Sequence, residues 1–506
     1  MQERQKWLLL LLNQSVDLRM KRVVAYIAVL LFVSVSYAQN TDFNKHREEM
    51  QQKWNQHVNA TQRAYDDFRD RLNAAYAERM KANWKMFQLR AAEPNPEKPD
   101  PPKPVVKDND KPVPTKPVPV KEVVKPMKPE IPQPVQPIVR PEKEEPPHFS
   151  FQFHHTPCEV HLQNSQTFTL PDASEASASN AWKRMSETGF DIVADDCLRY
   201  RERLSLNDWG YIDLAKTVSE KFLGKGANEA ILMQIYLLAQ SGYKVRVARR
   251  DGRLVALIPF ANDLYGYSYL YLDGERFYLM DDDKNDGPCH VFTEKFKGEK
   301  TPSLCIQTEP RFEDNPTSPK TFSSIYYPAA TAAVSTNRNL IEFYNSYPVT
   351  GQWNEYAKAS LSSKIKRTLY PNLRKQISGK SQREAANILL DFVQTAFKYR
   401  TDQEQFGYER PLFGDELFFY PFSDCEDRSI LFTILVHDLL NLDVIMLHFP
   451  GHLATAVRFT EEVSGYYFMV NGRKYVICDP TYIGAPVGDC MPQFVSTPAE
   501  VVFVYE

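Results

Sequence analysis

Three short stretches decide the fold of this chain: SDCEDRS at residues 423–429, PGHLATAV at 450–457 and VICDPT at 476–481. The first stretch opens a helix, because apolar residues recur after it at helical spacing. Ser423 or Asp424 can serve as the N-cap of that helix. The apolar residues that define its buried face are Ile430, Leu431, Ile434, Leu435 and Leu439.

The other two stretches belong to strands. Residues 444–447 read as a buried strand, and Gly451-His452 leads into the next one at 454–459. Residues 466–470 and 474–478 flank Asn471-Gly472, a strong signal for a two-residue hairpin turn. We therefore expect the His and the following Asp to lie on neighbouring antiparallel strands that face the helix.

Cys425, His452 and Asp479 are the candidate catalytic residues. Cys425 falls in the first helical turn, where unpaired backbone N–H groups favour a thiolate over a thiol. A thiolate nucleophile needs a base that passes a proton, and the base needs an acceptor that orients it. His452 and Asp479 fit these two roles in order.

This order and these local contexts resemble the transglutaminase-like superfamily, a branch of the papain-like cysteine enzymes, over roughly residues 381–491. The resemblance implies that Cys425 is the nucleophile, His452 the base and Asp479 the orienting residue. It also implies a bacterial exported cysteine hydrolase that cleaves a peptide or amide bond through a thioester acyl-enzyme. Two alternatives stay open: an acyl transferase of the protein-glutamine cross-linking type, and a non-catalytic protein that binds peptides or glycans.

Acidic residues surround the candidate nucleophile at Asp424, Glu426 and Asp427. A nearby negative charge opposes formation of a thiolate, so something must compensate. The helix N-terminus and Arg428 can do so. The alternative is a bound calcium ion, as the resemblance to periplasmic bacterial members implies, with Asp424 and Glu426 as candidate ligands. The predicted chemistry otherwise requires no cofactor.

The N-terminal region carries an export signal. Met20-Lys21-Arg22 precedes an apolar run at 23–35, and Ser36-Tyr37-Ala38 resembles a cleavage site between small residues. The pattern predicts a signal peptide at residues 20–38 and a periplasmic or secreted protein. A membrane anchor is the alternative, but the apolar run is short for a transmembrane span.

Residues 39–90 read as a helical segment with an apolar stripe, and residues 91–148 as a Pro-rich linker. The stripe is consistent with self-association through residues 41–90 or with docking on another surface. The linker holds roughly half of the chain's 36 Pro residues and favours an extended spacer. The stripe consists of Phe43, Met50, Trp54, Val58, Tyr65, Phe68, Leu72, Tyr76, Met80, Trp84 and Phe87.

Residues 149–310 are predicted to form a first globular unit, and residues 318–506 a catalytic domain. Within them, residues 226–283 can be aligned with residues 425–481. In this first copy Gly226 replaces the Cys and Arg253 replaces the His, while Asp281 remains. The alignment predicts an internal duplication with a degenerate first domain. The alternative is that any helix followed by a hairpin would align as well.

The predicted fold class is α+β, with two papain-like or transglutaminase-like units in which a helix packs on an antiparallel sheet. The net charge of −3 and the pI of about 6.4 give no indication of nucleic-acid binding. The expected partner is a protein or peptide substrate, with the cell envelope as a candidate source. Among seven Cys residues, Cys478 and Cys490 form a plausible disulfide pair in an exported protein.

Overall fold

The structure is a computed structural model that describes residues 41–95, 114–124, 148–280 and 286–504. The predicted signal peptide at 20–38, most of the predicted linker and Asp281 lie outside the described residues. Backbone contacts divide the chain after Arg71 into two units, which are described separately.

The described helices and strands alternate irregularly along the chain. The helices are α1 (Thr41–Met80), α2 (Glu175–Glu187), α3 (Phe190–Arg203), α4 (Asp208–Leu223), α5 (Asn228–Gln240), α6 (Arg338–Asn345), α7 (Trp353–Lys358), α8 (Ser363–Ile377), α9 (Gln382–Ala396), α10 (Asp402–Gln405), α11 (Gly414–Phe419) and α12 (Cys425–Leu440). The strands are β1 (Trp84–Leu89), β2 (Val120–Val124), β3 (Phe149–Phe153), β4 (Thr156–Val160), β5 (Arg246–Arg250), β6 (Arg253–Pro259), β7 (Tyr269–Leu272), β8 (Glu275–Leu279), β9 (Gly287–Phe292), β10 (Lys320–Ser323), β11 (Thr331–Val334), β12 (Lys398–Tyr399), β13 (Phe422–Ser423), β14 (Asp443–Phe449), β15 (His452–Arg458), β16 (Tyr467–Val470), β17 (Arg473–Cys478) and β18 (Ala499–Phe503).

Two six-stranded sheets dominate the second unit and have the same internal order. The first sheet runs β1-β9-β5-β6-β8-β7, and the second runs β2-β18-β14-β15-β17-β16. All neighbours are antiparallel except β2, which pairs with β18 in the parallel direction. Helices α5 and α12 pack on the sheets that follow them. The fold class is therefore α+β, whereas a duplicated papain-like arrangement stays a prediction.

The hairpin turn that the sequence predicts at Asn471-Gly472 forms, and a second turn of the same kind forms at Asp273-Gly274. Asn471 and Gly472 both have positive φ, at 51° and 73°, and connect β16 to β17. Asp273 and Gly274 have φ of 53° and 81° and connect β7 to β8. Two successive residues with positive φ match the right-handed twist of the flanking strands, which is why Asn-Gly and Asp-Gly are favoured there.

The helical prediction for residues 39–90 is wrong beyond Met80. The helix ends there, and residues 84–89 form β1 along the outer edge of β9. Tyr76 and Met80 are buried in the core of the second unit, where Tyr76 stacks on Phe296 with ring centroids 4.2 Å apart. The apolar stripe therefore docks on another surface at its C-terminal end. The strand forms because the free edge of β9 supplies hydrogen-bond partners for the backbone of residues 84–89.

The linker prediction for residues 91–148 is wrong at residues 117–124. Val118 is buried, and Val120–Val124 adds an edge strand to the second sheet. Lys121 pairs with Glu500 at 2.7 Å across that edge. An extended Pro-rich segment suits an edge strand, because only one side of its backbone needs hydrogen-bond partners from the sheet.

The N-terminal unit, as far as it is described, consists of residues 41–71 of α1. Four of its large apolar side chains are exposed: Met50, Trp54, Tyr65 and Phe68. None of the described helices is both long and apolar enough to cross a lipid bilayer. The prediction of self-association through this stripe stays open.

Candidate active site

Cys425 is the first residue of α12, as the sequence predicts, and Asp424 is its N-cap. The Asp424 N–H donates to Asp427 Oδ2 at 3.1 Å, which closes the first turn. Cys425 is fully buried, and its thiol donates to Glu426 Oε2 at 3.3 Å. The sulfur therefore lies where the helix dipole favours negative charge, and a neighbouring carboxylate accepts a hydrogen bond from the thiol.

His452 and Asp479 form a buried pair. His452 begins β15, Asp479 follows β17 directly, and the two strands are antiparallel neighbours. His452 Nε2 lies 2.9 Å from Asp479 Oδ2. His452 Nδ1 is buried and has no hydrogen-bond partner among the described residues. With Nε2–H donating to the carboxylate, Nδ1 is the nitrogen that can accept a proton.

Asp479 is itself held in place by several hydrogen bonds. Its Oδ1 accepts from the backbone N–H groups of Thr481 at 2.9 Å and Tyr482 at 3.3 Å. Its backbone carbonyl accepts from Gln394 Nε2 at 2.9 Å, and its Oδ2 accepts from His452. A carboxylate held this way cannot rotate away from the imidazole, so the His tautomer is fixed.

Two aromatic rings lie beside the imidazole. The Phe494 ring lies parallel to that of His452, at 3° and 5.2 Å between centroids. Phe449 lies 6.4 Å away at 19° and also stacks on Phe494 at 4.5 Å. Sequence reasoning missed both. The sequence contains a weak indication that Phe449 lies near His452, since it ends the strand before Gly451-His452. It contains no such indication for Phe494, which comes from a later turn.

Helix α12 packs on the strand that begins with His452. Ser429 Oγ donates to the Leu453 carbonyl at 3.0 Å. Ser429 is one helical turn after Cys425, on the same side of the helix, and Leu453 is the residue after His452. This contact joins the second turn of the helix to the strand one residue after His452.

Asp424 and Glu426 belong to a larger acidic cluster than the sequence indicates. Each offers a carboxylate oxygen within 4.8 Å of oxygens from Asp402 and Glu409, two residues of the preceding loop region. Asp402, Asp424 and Glu426 are buried. Four carboxylates can supply the six to eight oxygens that calcium prefers, so these residues fit a calcium ion by donor chemistry.

The hydrogen bonds of the Arg428 guanidinium go to two backbone carbonyls and a serine hydroxyl rather than to the acidic residues beside Cys425. It is buried and donates to the carbonyls of Gln394 at 3.1 Å and Phe397 at 2.7 Å, and to Ser423 Oγ at 3.3 Å. Burial lowers its pKa to about 10. The guanidinium therefore joins α12 to the end of α9, and its positive charge acts on the acidic residues only at longer range.

All seven Cys residues are free, so the predicted pairing of Cys478 with Cys490 is wrong for this structure. Burial raises the pKa of Cys490 to about 12 and that of Cys158 to about 11. Cys305, the least buried, has a pKa raised to about 12 by burial and by Glu355. These thiols stay neutral near pH 7, so they are poor nucleophiles.

The three candidate catalytic residues are buried. Cys425 is 0 % exposed, and His452 and Asp479 are each 2 % exposed. Asp402 and Glu409, which meet Asp424 and Glu426, tie the loop region around α10 to the residues beside the thiol. The thiol is therefore inaccessible to solvent in this conformation.

The first sheet has a glycine and an arginine at the positions aligned with Cys425 and His452. Arg253 Nη2 donates to the Gly226 carbonyl at 3.2 Å, so the two residues aligned with the His and the Cys are in contact. Gly226 has φ of +70°, a conformation that a Cys side chain would strain. Asp281 lies outside the described residues. The contact supplies neither a nucleophile nor a base that titrates.

Comparisons with family models, with curated proteins and with solved structures give no match for this chain. The chemistry of the site therefore follows from its own residues. These are a thiol at a helix N-terminus, an imidazole with one nitrogen bonded to a carboxylate, and a cluster of four acidic side chains.

Proposed function

We propose that this chain is an exported cysteine hydrolase of the transglutaminase-like class that cleaves a peptide or amide bond. The observation that carries the proposal is the His452–Asp479 pair, which leaves Nδ1 as the one imidazole nitrogen able to take a proton. The position of Cys425 at the N-terminus of a helix supports the assignment of the nucleophile.

The proposed reaction proceeds through a thioester. His452 Nδ1 takes the proton from the Cys425 thiol, and the sulfur attacks the substrate carbonyl carbon. When the carbon–nitrogen bond breaks, the imidazolium returns its proton to the leaving amine. His452 then removes a proton from water, whose oxygen attacks the thioester and releases the acid and the free thiol. Asp479 stabilises the imidazolium without taking its proton.

Export and duplication are further parts of the proposal. The apolar segment before Gln39 supports an exported protein. The matching strand order of the two sheets and the contact between Arg253 and Gly226 support a degenerate first copy. A silent copy that keeps its sheet can line a substrate groove or hold a partner.

The proposal is tested by trapping the acyl-enzyme. Intact-protein mass spectrometry after incubation with an acyl-donating thioester probe should show one acyl group, which peptide mapping places on Cys425. Cys425→Ala and His452→Ala should abolish turnover, whereas Cys305→Ala, the matched thiol control, should retain it. Turnover by folded Cys425→Ala would exclude Cys425 as the nucleophile and so overturn the proposed cysteine hydrolase. Release of the acyl group to an added amine rather than to water would identify a transferase.

A further inference from the structure

A cavity of about 180 Å³ opens beside α9, and the proposed reaction does not use it. Its volume is below the range of roughly 300–1,000 Å³ that holds a drug-sized ligand. It therefore suits one side chain or a small molecule. The lining residues are Tyr326, Tyr327, Asn387, Asp391, Gln394, Gly484, Ala485 and Pro486.

One wall of the cavity is fixed before any ligand arrives. Asn387, Asp391 and Gln394 follow each other at four- and three-residue spacing on one face of α9. Gln394 accepts from the Gly484 N–H and donates to the Ala485 carbonyl, each at 3.1 Å. Asn387 Oδ1 accepts from the N–H of the residue after Pro486 at 2.7 Å. Because these side chains are already held in place, they lose little conformational entropy when a ligand binds.

Asp391 carries the charge of the cavity. It is 5 % exposed, and its Oδ2 accepts from Ser324 Oγ and from the Tyr326 N–H. Its Oδ1 has no hydrogen-bond partner among the described residues, and none of their ion pairs includes Asp391. Burial raises the pKa of this carboxyl group. A positive group in the cavity would supply the missing partner and restore the charged form.

The mouth of the cavity is aromatic. Tyr326 and Tyr327 are 61 % and 41 % exposed. The Tyr326 ring lies over Gly484, where an added Cβ would stand 3.7 Å from the hydroxyl oxygen. Both rings are anchored through their backbones, since the Tyr327 N–H donates to Ser324 Oγ at 2.9 Å. Tyrosine rings beside a buried carboxylate can bind organic cations.

We infer that this cavity binds an alkylammonium group, such as the side chain of a lysine residue in a peptide. A divalent metal would need six or more oxygens, and Asp391 offers only one that is uncommitted. A guanidinium prefers both oxygens of a carboxylate, and one of these is already occupied. A single compact ammonium, with its methylenes against the tyrosine rings, fits both limits.

The test is calorimetric titration of the full chain with n-butylammonium in low salt. It is carried out without an acyl donor, so failure here would say nothing about Cys425. Saturable binding is expected, and Asp391→Asn should weaken it about tenfold or more. The asparagine oxygen can still accept from Ser324 and Tyr326, so the loop should stay folded. Tyr326→Ala should weaken binding about two- to fivefold. Asp251→Asn, an exposed carboxylate in a turn, is the matched control and should bind like the parent chain.

Three comparisons decide the outcome. Equal binding of uncharged 1-butanol would show a merely apolar cavity and overturn the inference. Equal or tighter binding of n-butylguanidinium would overturn the argument from the single free oxygen. Unchanged affinity in Asp391→Asn, or no saturable binding by the parent chain, would overturn the site altogether. Thermal unfolding of each variant confirms that any loss of affinity belongs to a folded protein.

Discussion

Replacing Asp479 with Asn tests the tautomer on which the proposed reaction depends. The asparagine oxygen can keep the hydrogen bonds from the Thr481 and Tyr482 N–H groups, so the loop should hold its shape. Its NH₂ group would then face His452 Nε2 in place of the carboxylate oxygen at 2.9 Å. Two donors cannot bond, so the imidazole proton should move to Nδ1, and Nδ1 could no longer act as the base.

The expected loss of Cys425 reactivity follows from the lost hydrogen bond between His452 and Asp479. A hydrogen bond to a charged group contributes about 1.5–3 kcal/mol. Applied to the tautomer equilibrium, this lowers the population of the competent form roughly 10- to 150-fold, at about 1.4 kcal/mol per factor of ten. The reactivity of Cys425 should fall by the same factor, while His452→Ala should reduce it at least as far.

The assay is the rate at which iodoacetamide alkylates Cys425 at pH 7, followed by mass spectrometry of the peptide that contains it. Cys305 in the same sample is an internal control, because its rate should not change with residue 479. Asp443→Asn, an exposed carboxylate on the adjoining strand, is the matched variant. A folded Asp479→Asn protein that is alkylated at the parent rate would refute the role of the pair.

Further predictions concern stability, metal, assembly and export. Burial raises the pKa of Asp415 to about 7, so the folded state binds this proton more tightly than the unfolded state. The free energy of unfolding should therefore decrease as the pH rises from 4 to 7, by at most about 1.4 kcal/mol per pH unit. Asp415→Asn should make the melting temperature less dependent on pH in this range, and an unchanged dependence would contradict the assignment. Excess chelator should lower the melting temperature if the acidic cluster holds calcium, and added calcium, but not magnesium, should restore it. Trp54→Ser with Phe68→Ser should dissociate any oligomer in sedimentation velocity, whereas a change in the second unit's stability would show another role. N-terminal sequencing of the exported protein should begin at Gln39, and residues before it would contradict cleavage there.

The sequence by itself determined the features that depend on neighbouring residues. The start of α12 at Cys425 follows from the acidic cap and the helical spacing after it. The turn at Asn471-Gly472 follows from backbone conformations that few other residues adopt easily. Once these were placed, antiparallel pairing put His452 and Asp479 on adjacent strands. Local sequence patterns were sufficient to predict these elements, because each depends on residues that are close together in the chain.

Only the tertiary structure decided the features that join distant segments. Residues 84–89 and 117–124 become strands because two sheets have free edges there, and nothing in their own composition favours that outcome over helix or linker. Phe494 reaches His452 from a distant turn in the same way. Asp402 and Glu409 meet the acidic residues beside the thiol although they are 15 or more residues away along the chain. Such contacts depend on the position of the whole chain, which no pattern within a short window can encode.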